Sequence, residues 1–399
     1  MAQLKLDRVP SLASMRMRVL QIHNRYRQQG GEDQVVAAEA DLLAAHGFDV
    51  HQHLADNPKG PSASARGLLQ APWNRGSAQA VADVVRTYRP DLVHIHNTWF
   101  QLSPAVIAAA HQQVPVVMTV HNYRLACSNG QLLRDGAPCR LCIDGNLWNG
   151  VLHSCYRNPV SSGLAALTIR NGRSRVWNSQ VDLFLALSDF AAEILSEVGV
   201  PRGRISVKDN FVADPGPRLQ PAVSSRELVF VGRLSPEKGV AQLVEHRRVF
   251  AEVGLSLKVI GDGPLRADIA SALGSSYLGQ MSSSDLAGEM LKSRALLMPS
   301  IWYEGQPRTA LEAFAAGLPV MGSSIGAVGE LLRAQPGSWT FDPHREWQRA
   351  ADLLASDETV AAGSAAARAL WLDRFQPATA IASLAKAYER AVTEHSRHG

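Results

Sequence analysis

Two acidic residues, Glu304 and Glu312, are separated by seven residues in a segment suited to binding hydroxyl groups. A carboxylate accepts hydrogen bonds from a diol, so each residue could hold one part of a polyhydroxylated ligand. The apolar run 295–298 predicts a buried strand before them, and Pro307 suits the first turn of a helix through 311–316. The pattern therefore predicts Glu304 in the turn after the strand and Glu312 on the helix. An acidic residue near a helix start is also an ordinary dipole-stabilising group, and this segment alone leaves that alternative open.

Positive charge follows another predicted strand, in segment 227–239. An apolar run is followed there by Gly232, and then by Arg233 and Lys238 in the loop that enters the next helix. Arginine can bind two phosphate oxygens at once and lysine acts as a point charge, so the pair suits a diphosphate beside a helix N-terminus. The two segments together predict a site for a sugar joined to a diphosphate.

The alternation of short apolar runs with longer helical patterns predicts an α/β fold with doubly wound parallel sheets. A third predicted strand, 257–260, ends in a tight turn that contains Gly261 and Gly263. Open parallel sheets bind their ligands at the carboxyl ends of the strands. Three predicted strand ends in this half of the chain thus carry ligand-binding chemistry.

In this order and spacing, these motifs resemble the donor-binding half of the retaining family-4 glycosyltransferases, and the resemblance covers most of the chain. It implies the GT-B fold, in which two Rossmann-like parallel-sheet domains face each other across a cleft. We accordingly expect an acceptor domain over residues 1–210, a nucleotide-sugar donor domain over 211–375, and a final helix in 376–399 that crosses back. One departure is Gln306 followed by Pro307, which stands where the family often has Phe-Gly.

The resemblance also implies roles for residues in the first half of the chain. It places a first strand at 19–24, a central strand at 91–97, and Gly30 and Gly31 in a loop that lets the backbone approach the diphosphate. His121, at the end of a further strand, would face the donor sugar. Without the resemblance, a plain turn would explain the two glycines nearly as well, and His121 would more often be a packed, hydrogen-bonded residue.

The implied activity is transfer of a hexose from a nucleoside diphosphate sugar to a cell-envelope or exopolysaccharide acceptor, with retention of the anomeric configuration. The residues expected to act in catalysis are Glu304, His121, Arg233 and Lys238. The residues expected to contact the donor are Gly30, Gly31, Gly232, Arg233, Lys238, Gly261, Gly263, Glu304, Gly305, Gln306, Pro307 and Glu312. We expect no catalytic metal, because cationic side chains and helix N–H groups can stabilise the departing diphosphate.

The sequence leaves the base, the sugar, the acceptor and the oligomeric state open, and both UDP-hexoses and GDP-hexoses fit. The acceptor would be a glycan or a lipid-linked molecule. A catalytically silent nucleotide-sugar-binding protein is the alternative function, and release of nucleoside diphosphate that depends on acceptor would decide between the two. A dinucleotide oxidoreductase could use Gly261 and Gly263, but the full Gly-x-Gly-x-x-Gly fingerprint is missing from the sequence.

The length of 399 residues exceeds one ordinary core and predicts two or three domains. With 46% hydrophobic and 19% charged residues, the composition is typical of soluble globular proteins. No apolar stretch reaches the roughly 20 residues needed to span a bilayer, and residues 1–10 lack the apolar core of a signal peptide. We therefore expect a cytoplasmic protein in which residues 1–16 form a loose extension.

Positive charge is concentrated in the N-terminal half. Residues 1–210 contain 21 Lys and Arg against 16 Asp and Glu, a balance of +5, whereas 211–399 contain 19 against 20, a balance of −1. The excess favours peripheral contact with an anionic membrane surface or a phosphate-linked acceptor, whereas we find no nucleic-acid-binding motif and expect no nucleic-acid partner. The candidate contact residues are Arg170, Arg173 and Arg175, close to Leu164, Leu167 and Trp177. A solvated helix face explains these residues about as well.

All four cysteines, Cys127, Cys139, Cys142 and Cys155, fall within 29 residues, 127 to 155 inclusive. A Cys-x2-Cys pair flanked by two further thiols fits a structural zinc site that would hold an irregular insertion together. Separate reduced thiols are the alternative, and disulfides are disfavoured in the cytoplasm. For His94 and His96, which alternate along a predicted strand, core packing is favoured over metal ligation.

Overall fold

A computed structural model describes residues 17–26, 30–333 and 339–398, and two six-stranded sheets organise the chain. The strands of the first sheet are β1 (Arg18–Arg25), β2 (Asp49–Asp56), β3 (Leu92–Asn97), β4 (Val116–Val120), β7 (Leu183–Ala186) and β8 (Ile205–Val207). The strands of the second sheet are β9 (Glu227–Val231), β10 (Ser256–Ile260), β11 (Tyr277–Gly279), β12 (Ala295–Met298), β13 (Val320–Ser323) and β14 (Trp339–Phe341). A small hairpin of β5 (Leu133–Arg134) and β6 (Ala137–Pro138) lies between β4 and β7 in the chain.

Helices alternate with the strands, as the sequence pattern predicts. The helices up to residue 200 are α1 (Gly31–Ala45), α2 (Pro61–Gln70), α3 (Arg75–Tyr88), α4 (Ala105–His111), α5 (Leu141–Asp144), α6 (Trp148–Leu152), α7 (Pro159–Gly172), α8 (Asn178–Gln180) and α9 (Asp189–Glu197). The later helices are α10 (Val240–Glu245), α11 (Arg247–Glu252), α12 (Arg266–Leu273), α13 (Ser283–Lys292), α14 (Arg308–Ala315), α15 (Gly326–Arg333), α16 (Trp347–Ala355), α17 (Asp357–Leu370) and α18 (Pro377–His398). Among the described residues, no helix combines the length and apolar character needed to cross a bilayer.

The strand order defines where each sheet can bind a ligand. Neighbouring strands are parallel throughout both large sheets, in the order β2-β1-β3-β4-β7-β8 and β11-β10-β9-β12-β13-β14. The direction of the order reverses between β1 and β3 in the first sheet and between β9 and β12 in the second. A parallel sheet opens a crevice beyond its carboxyl edge at such a switch point. The loops after β1, β3, β9 and β12 are therefore the ones expected to carry a site.

The central strands are buried on both faces of each sheet. Every residue of β3, β4, β7, β12 and β13 is buried. Helices cover both faces of such sheets, so their strands are nearly continuous apolar runs that stand out in a sequence. β3 also contains three buried polar residues, His94, His96 and Asn97, among its last four residues.

Three of the four edge strands and one helix start differ from the sequence predictions. Strands β2, β8 and β14 were not predicted. β2 is half-exposed and contains no continuous apolar run, and β8 and β14 have only three residues each. The spacing of apolar residues predicts a first helix over residues 34–46. The helix begins earlier, at Gly31, because the Asp33 side chain accepts the backbone N–H of Gly30 at 2.9 Å and closes the first turn. The extension predicted at 1–16 lies outside the described residues.

The last helix, α18, lies against the first sheet. Its residues Leu384 and Tyr388 are fully buried in a cluster with Val19 of β1 and Leu183 of β7. The Tyr388 hydroxyl also lies 2.8 Å from Nδ1 of His94. The chain thus returns from the second sheet to the first at its end. The domain boundaries placed at 210 and 375 stay predictions.

Candidate functional site

The acidic and basic residues predicted in the second domain meet in one cluster. Lys238 donates hydrogen bonds from its ammonium group to both carboxylate oxygens of Glu304, at 2.7 and 2.8 Å. Ser300 donates a third from Oγ to Glu304 Oε1, at 2.7 Å. Glu304 is only 5% exposed, and a nearly buried carboxylate requires such partners. Because a carboxylate has about four acceptor positions, one remains for a ligand hydroxyl.

The switch point of the second sheet brings Lys238 to Glu304. Lys238 lies in a short 3-10 turn after β9, and Glu304 lies in the loop after β12, the neighbouring strand. Gly239 follows with a φ of +70°, and a Cβ at this position would overlap the carbonyl oxygen of Pro299. Only glycine permits both this backbone conformation and this close approach of the two loops.

Arg233 is the exposed cation of the site. Its side chain makes no hydrogen bond or ion pair with any described residue, so the guanidinium is available to an anion. Next to it, a Cβ on Gly261 would overlap the carbonyl oxygen of Gly232, and one on Gly263 would lie 2.5 Å from that of Leu234. These two glycines therefore let the loops after β9 and β10 pack together, and their contact with a donor stays a prediction.

Glu312 lies on α14 and is paired with Arg308, a residue that the sequence analysis missed. The two side chains are 3.3 Å apart between Arg308 Nη2 and Glu312 Oε1. Burial raises the pKa of Glu312, and Arg308 opposes that shift. A Cβ on Gly31 would lie 3.9 Å from Arg308 Cδ, so the first domain approaches α14 at this point. The spacing of four residues between Arg308 and Glu312 could have predicted this pair, because residues four apart are neighbours on one side of a helix.

The Gln306 side chain contacts the segment that connects the two domains. Its Oε1 accepts the backbone N–H of Asn210 and its Nε2 donates to Asp209 Oδ1, both at 2.6 Å. Asp209 is itself paired with Arg374 at 2.9 Å. Both polar ends of the Gln306 side chain are thus occupied. Contact of Gly305, Gln306 and Pro307 with a donor stays a prediction.

His121 follows β4 in the first domain and touches the loop that carries Glu304. A Cβ on Gly305 would lie 2.6 Å from the carbonyl oxygen of His121, so glycine is needed for this approach. Two residues on, the Tyr123 hydroxyl donates to the backbone carbonyl of Glu304 at 2.9 Å. The structure therefore brings the predicted residues of the two domains together.

A buried polar network contacts the His121 ring through His96. The ring stacks on that of His96 with 5.3 Å between centroids, and His96 Nδ1 lies 3.0 Å from His121 Nε2. Glu39 Oε1 lies 3.0 Å from His94 Nδ1 and 3.3 Å from His96 Nε2, while its Oε2 accepts from Lys208 at 2.5 Å. His94 and His96 are buried, and with Glu39 they also bring three metal-ligand atoms together, so core packing rather than metal ligation stays a prediction.

Burial and the neighbouring polar groups together set the charges in this network. Burial opposes ionisation of Glu39, but the nearby Lys208 and the two histidines outweigh it and hold the pKa of this carboxyl well below its usual range. Burial lowers the pKa of His96 to about 3 and that of His121 well below its ordinary value. Both rings are therefore neutral near pH 7. The countercharge to Glu39 is the ammonium group of Lys208.

The glycine loop leads directly into α1. Gly30 is tied to Asp33, and the Glu32 side chain, which is 10% exposed, lies beside them and accepts hydrogen bonds from Tyr26 Oη at 3.1 Å and Asn122 Nδ2 at 3.3 Å. Burial raises the pKa of Glu32 to about 8. A protonated Glu32 adds no negative charge at this helix N-terminus. Asp33 does add one, because hydrogen bonds from His23 and the Gly30 N–H outweigh burial and lower the pKa of its carboxyl. Contact of Gly30 and Gly31 with a diphosphate stays a prediction.

The four cysteines are free thiols, and two of them, Cys142 and Cys155, lie beside Gly150. A Cβ on Gly150 would lie 3.8 Å from Cys142 Sγ, and its carbonyl accepts the N–H of Cys155 at 2.9 Å. Burial, and then the neighbouring Cys127, raise the pKa of Cys142 to about 11. Two clusters in the described chain bring three metal-ligand atoms within 4.8 Å of one another, and neither contains a cysteine; they are Glu39, His94 and His96, and His111, Asp182 and His395. Zinc binding by the cysteines stays a prediction.

Two models of glycosyltransferase families match the chain. Glycosyltransferase Family 4 matches residues 16–214, and Glycosyl transferases group 1 matches residues 225–357. The first match covers the sheet that carries His121, and the second covers the cluster of Lys238 and Glu304. Together they extend over most of the sequence.

Curated relatives agree with the family models. The chain is 28% identical to a glycogen synthase of Mycobacterium tuberculosis over 63% of its own length and 56% of that protein. It is 22% identical to the putative teichuronic acid biosynthesis glycosyltransferase TuaC of Bacillus subtilis over 66% of its length and 62% of that protein. The matched region thus spans little more than half of these relatives.

Solved structures show the same fold. A crystal structure of Anabaena HepE in complex with UDP and glucose superposes with a TM-score of 0.61 at 17% identity, over 94% of this chain and 99% of that one. Sucrose-phosphate synthase from Thermosynechococcus elongatus superposes with a TM-score of 0.65 at 14% identity, over 94% and 99%. With two Rossmann-like domains of six parallel strands each and matches to both family models, the chain belongs to the family-4, group 1 glycosyltransferases of GT-B fold.

Proposed function

We propose that this chain is a retaining hexosyltransferase that transfers a hexose from a nucleoside diphosphate sugar to a cell-envelope or exopolysaccharide acceptor. The observation that carries this proposal is the contact of Lys238 with Glu304, beside the unpaired Arg233 and in contact with the segment of His121. The proposal is supported by the HepE crystal structures, which contain UDP or UDP-glucose, and by the relative in teichuronic acid biosynthesis. UDP-hexoses and GDP-hexoses are both candidates.

The cations would stabilise the leaving group. Cleavage of the bond between the anomeric carbon and the phosphate oxygen adds negative charge to the diphosphate. Arg233 has no competing partner among the described side chains, and Lys238 has one N–H left after two bonds to Glu304. These groups, with the N–H groups of a helix start, act where the charge develops. In this proposal the diphosphate requires no metal ion.

The acidic group would hold the sugar close to the developing positive charge. Glu304 has one free acceptor position, which suits a sugar hydroxyl, and its charge is balanced by Lys238 in the resting site. The acceptor oxygen would form its bond to the anomeric carbon on the face from which the diphosphate departs. The acceptor proton would pass to an oxygen of the departing phosphate. No protein nucleophile is needed for this route.

His121 would bind the sugar as a neutral hydrogen-bonding group. Glu39 favours a proton on His96 Nε2, because that nitrogen faces the carboxylate at 3.3 Å. His96 Nδ1 then accepts from His121 Nε2, and this assignment leaves His121 Nδ1 as an acceptor for a sugar hydroxyl. The network beneath His121 would thus select its tautomer.

A screen of nucleotide sugars by thermal shift, followed by an assay for nucleoside diphosphate release, tests the proposal. A donor that binds only the folded state raises the unfolding temperature. We expect a rise with one UDP-hexose or GDP-hexose, and release of the nucleoside diphosphate that requires an acceptor glycan. Binding without acceptor-dependent release would instead support the silent binding protein. No shift with any nucleotide sugar would contradict both functions.

A further inference from the structure

Large apolar side chains are uncovered on one side of the first domain. Six of the ten large apolar residues that are exposed in the described chain lie on α2, α5, α6 and α7. They are Leu69, Leu141, Trp148, Leu152, Val160 and Leu167, and we call them the apolar patch. Trp148, Leu152 and Val160 are 73, 78 and 72% exposed. Single exposed apolar residues are ordinary in a folded protein, but a concentration of them on neighbouring helices marks an interaction surface.

The helices that carry the patch are neighbours in the fold. α6 contacts α7, and α7 also contacts α2. On α7, Val160 and Leu167 are seven residues apart and so lie on one side of the helix, whereas Leu164 between them is half-buried against the core. The opposite side of α7 is buried, with Ala165 and Ile169 in the core. The outward stripe of α7 is therefore free to face another surface.

The surface around the patch is strongly basic. Residues 61–75 and 139–181 together contain seven arginines and one acidic residue, Asp144. One of these arginines, Arg140, is paired with Asp144 and with Glu197 of α9. The arginines are Arg66, Arg75, Arg140, Arg157, Arg170, Arg173 and Arg175. Arg66, Arg157, Arg170 and Arg175 are exposed. The surface group expected from the sequence needs correction in two members: Trp177 is buried, and Arg173 is half-buried and donates to the carbonyl of Leu125 at 3.2 Å.

We propose that the apolar patch docks on the surface of an anionic lipid bilayer. Leucine, valine and tryptophan side chains beside arginines match the interface of such a bilayer, where apolar groups enter the acyl boundary and cations meet lipid phosphates. Trp148 and Leu152 would enter the interface, and Arg157 and Arg170 would contact phosphates. A second copy of this chain is a poorer partner, because a symmetric contact would place these arginines opposite one another.

Flotation with lipid vesicles tests this inference without any measurement of transfer. We expect the protein to bind vesicles that contain phosphatidylglycerol, to bind pure phosphatidylcholine vesicles several-fold less, and to lose affinity at high salt. Leu152→Glu and Trp148→Glu should each weaken binding roughly tenfold or more, because an apolar side chain that enters the interface is replaced by a charge. Leu219→Glu is the matched control, since Leu219 is 96% exposed outside the patch, and should leave binding unchanged.

A charge-reversal pair separates the electrostatic part of the contact. Arg157→Glu with Arg170→Glu should remove the preference for phosphatidylglycerol, whereas Arg345→Glu, at an exposed arginine of the second domain, should not. The inference is wrong if wild type fails to bind vesicles of either composition, or if the Leu152 and Leu219 variants bind equally well. It is also wrong if wild type is a dimer that Leu152→Glu converts to a monomer and neither form binds vesicles. These experiments measure vesicle binding alone, so their results do not depend on whether the protein transfers a hexose.

Discussion

Tyr123 of the first domain donates a hydrogen bond to the backbone carbonyl of Glu304 in the second domain, at 2.9 Å between oxygen atoms. The bond fixes the loop of a candidate catalytic residue from across the cleft. It therefore couples the relative position of the domains to the geometry of the site.

Replacement of Tyr123 by phenylalanine tests this coupling. Tyr123→Phe keeps the ring that packs near Phe190 and removes only the hydroxyl, so the fold should persist. Because a hydrogen bond contributes about 0.5–1.5 kcal/mol, transfer should fall by roughly 2–10-fold. Tyr88→Phe, which removes a similar bond to the Asp49 carbonyl at the far side of the first sheet, should not affect transfer. Equal rates for both variants would argue against the coupling.

A methyl group at Gly305 should separate the two halves of the site. In Gly305→Ala the new Cβ would lie 2.6 Å from the His121 carbonyl oxygen, so one of the two loops must move. A displacement of about 1 Å near reacting groups can reduce turnover about 100-fold. Gly288→Ala is the control, because Gly288 lies on α13 with no atom near its Cβ position. Steady-state kinetics with an unfolding curve for each variant will separate loss of activity from loss of fold.

Lys238 and Glu304 should be required for transfer individually. We expect Lys238→Ala and Glu304→Gln to lower transfer by about 100–1,000-fold, since each removes a group that stabilises charge in the transition state. Lys238→Ala should also weaken nucleotide binding and destabilise the fold, because it leaves Glu304 unpaired.

The double variant distinguishes the two effects. Adding Glu304→Gln to Lys238→Ala should recover part of the unfolding temperature without recovering activity. Lys258→Ala, which breaks an ion pair with Glu227 on the same sheet, controls for the loss of a paired lysine. Full turnover in both single variants would mean that the site is assigned to the wrong residues.

Glu32 makes folding stability depend on pH. Burial raises its folded pKa to about 8, above the ordinary value of 4.5. Between those values the folded state keeps a proton that the unfolded state has released, so this residue lowers stability as pH rises, and the loss is complete above the folded pKa. Glu32→Gln removes the effect. The gain in unfolding temperature of Glu32→Gln over wild type should be larger at about pH 8.5 than at about pH 5.5.

An exposed glutamate provides the comparison for Glu32. Glu252→Gln, at the end of α11, should change the unfolding temperature by the same small amount at both pH values. If Glu32→Gln behaves like Glu252→Gln, the Glu32 carboxyl ionises normally in the folded protein.

The cysteine cluster predicts bound zinc. Purified protein should contain about one zinc ion per chain by elemental analysis, and Cys142→Ser should lower both the zinc content and the unfolding temperature. Ser128→Ala is the control, because Ser128 is buried beside Cys127 and its hydroxyl has no partner among the described atoms. Purified protein that contains no zinc and has the same unfolding temperature with and without added zinc would contradict zinc binding by these cysteines.

The sequence predicted the parts of the site that depend on strand ends and missed those that depend on contacts across the fold. Lys238 and Glu304 were found because apolar runs locate buried strands, and the parallel sheet then places their loops together. The only sequence signal for Arg308 was its spacing of four residues from Glu312, and its pairing with Glu312 was not predicted. The role of Tyr123 depends on packing between domains, which leaves no periodic signal in a sequence. Gln306, predicted to contact the donor, is held by Asp209 and Asn210 in the structure.

A crystal structure with a nucleoside diphosphate hexose, such as UDP-glucose, tests the central claim most directly. We predict the diphosphate within hydrogen-bonding distance of Arg233 and Lys238, a sugar hydroxyl on Glu304 and the ribose near Glu312. A well-ordered ligand whose diphosphate lies away from both cations would contradict this assignment of the donor site.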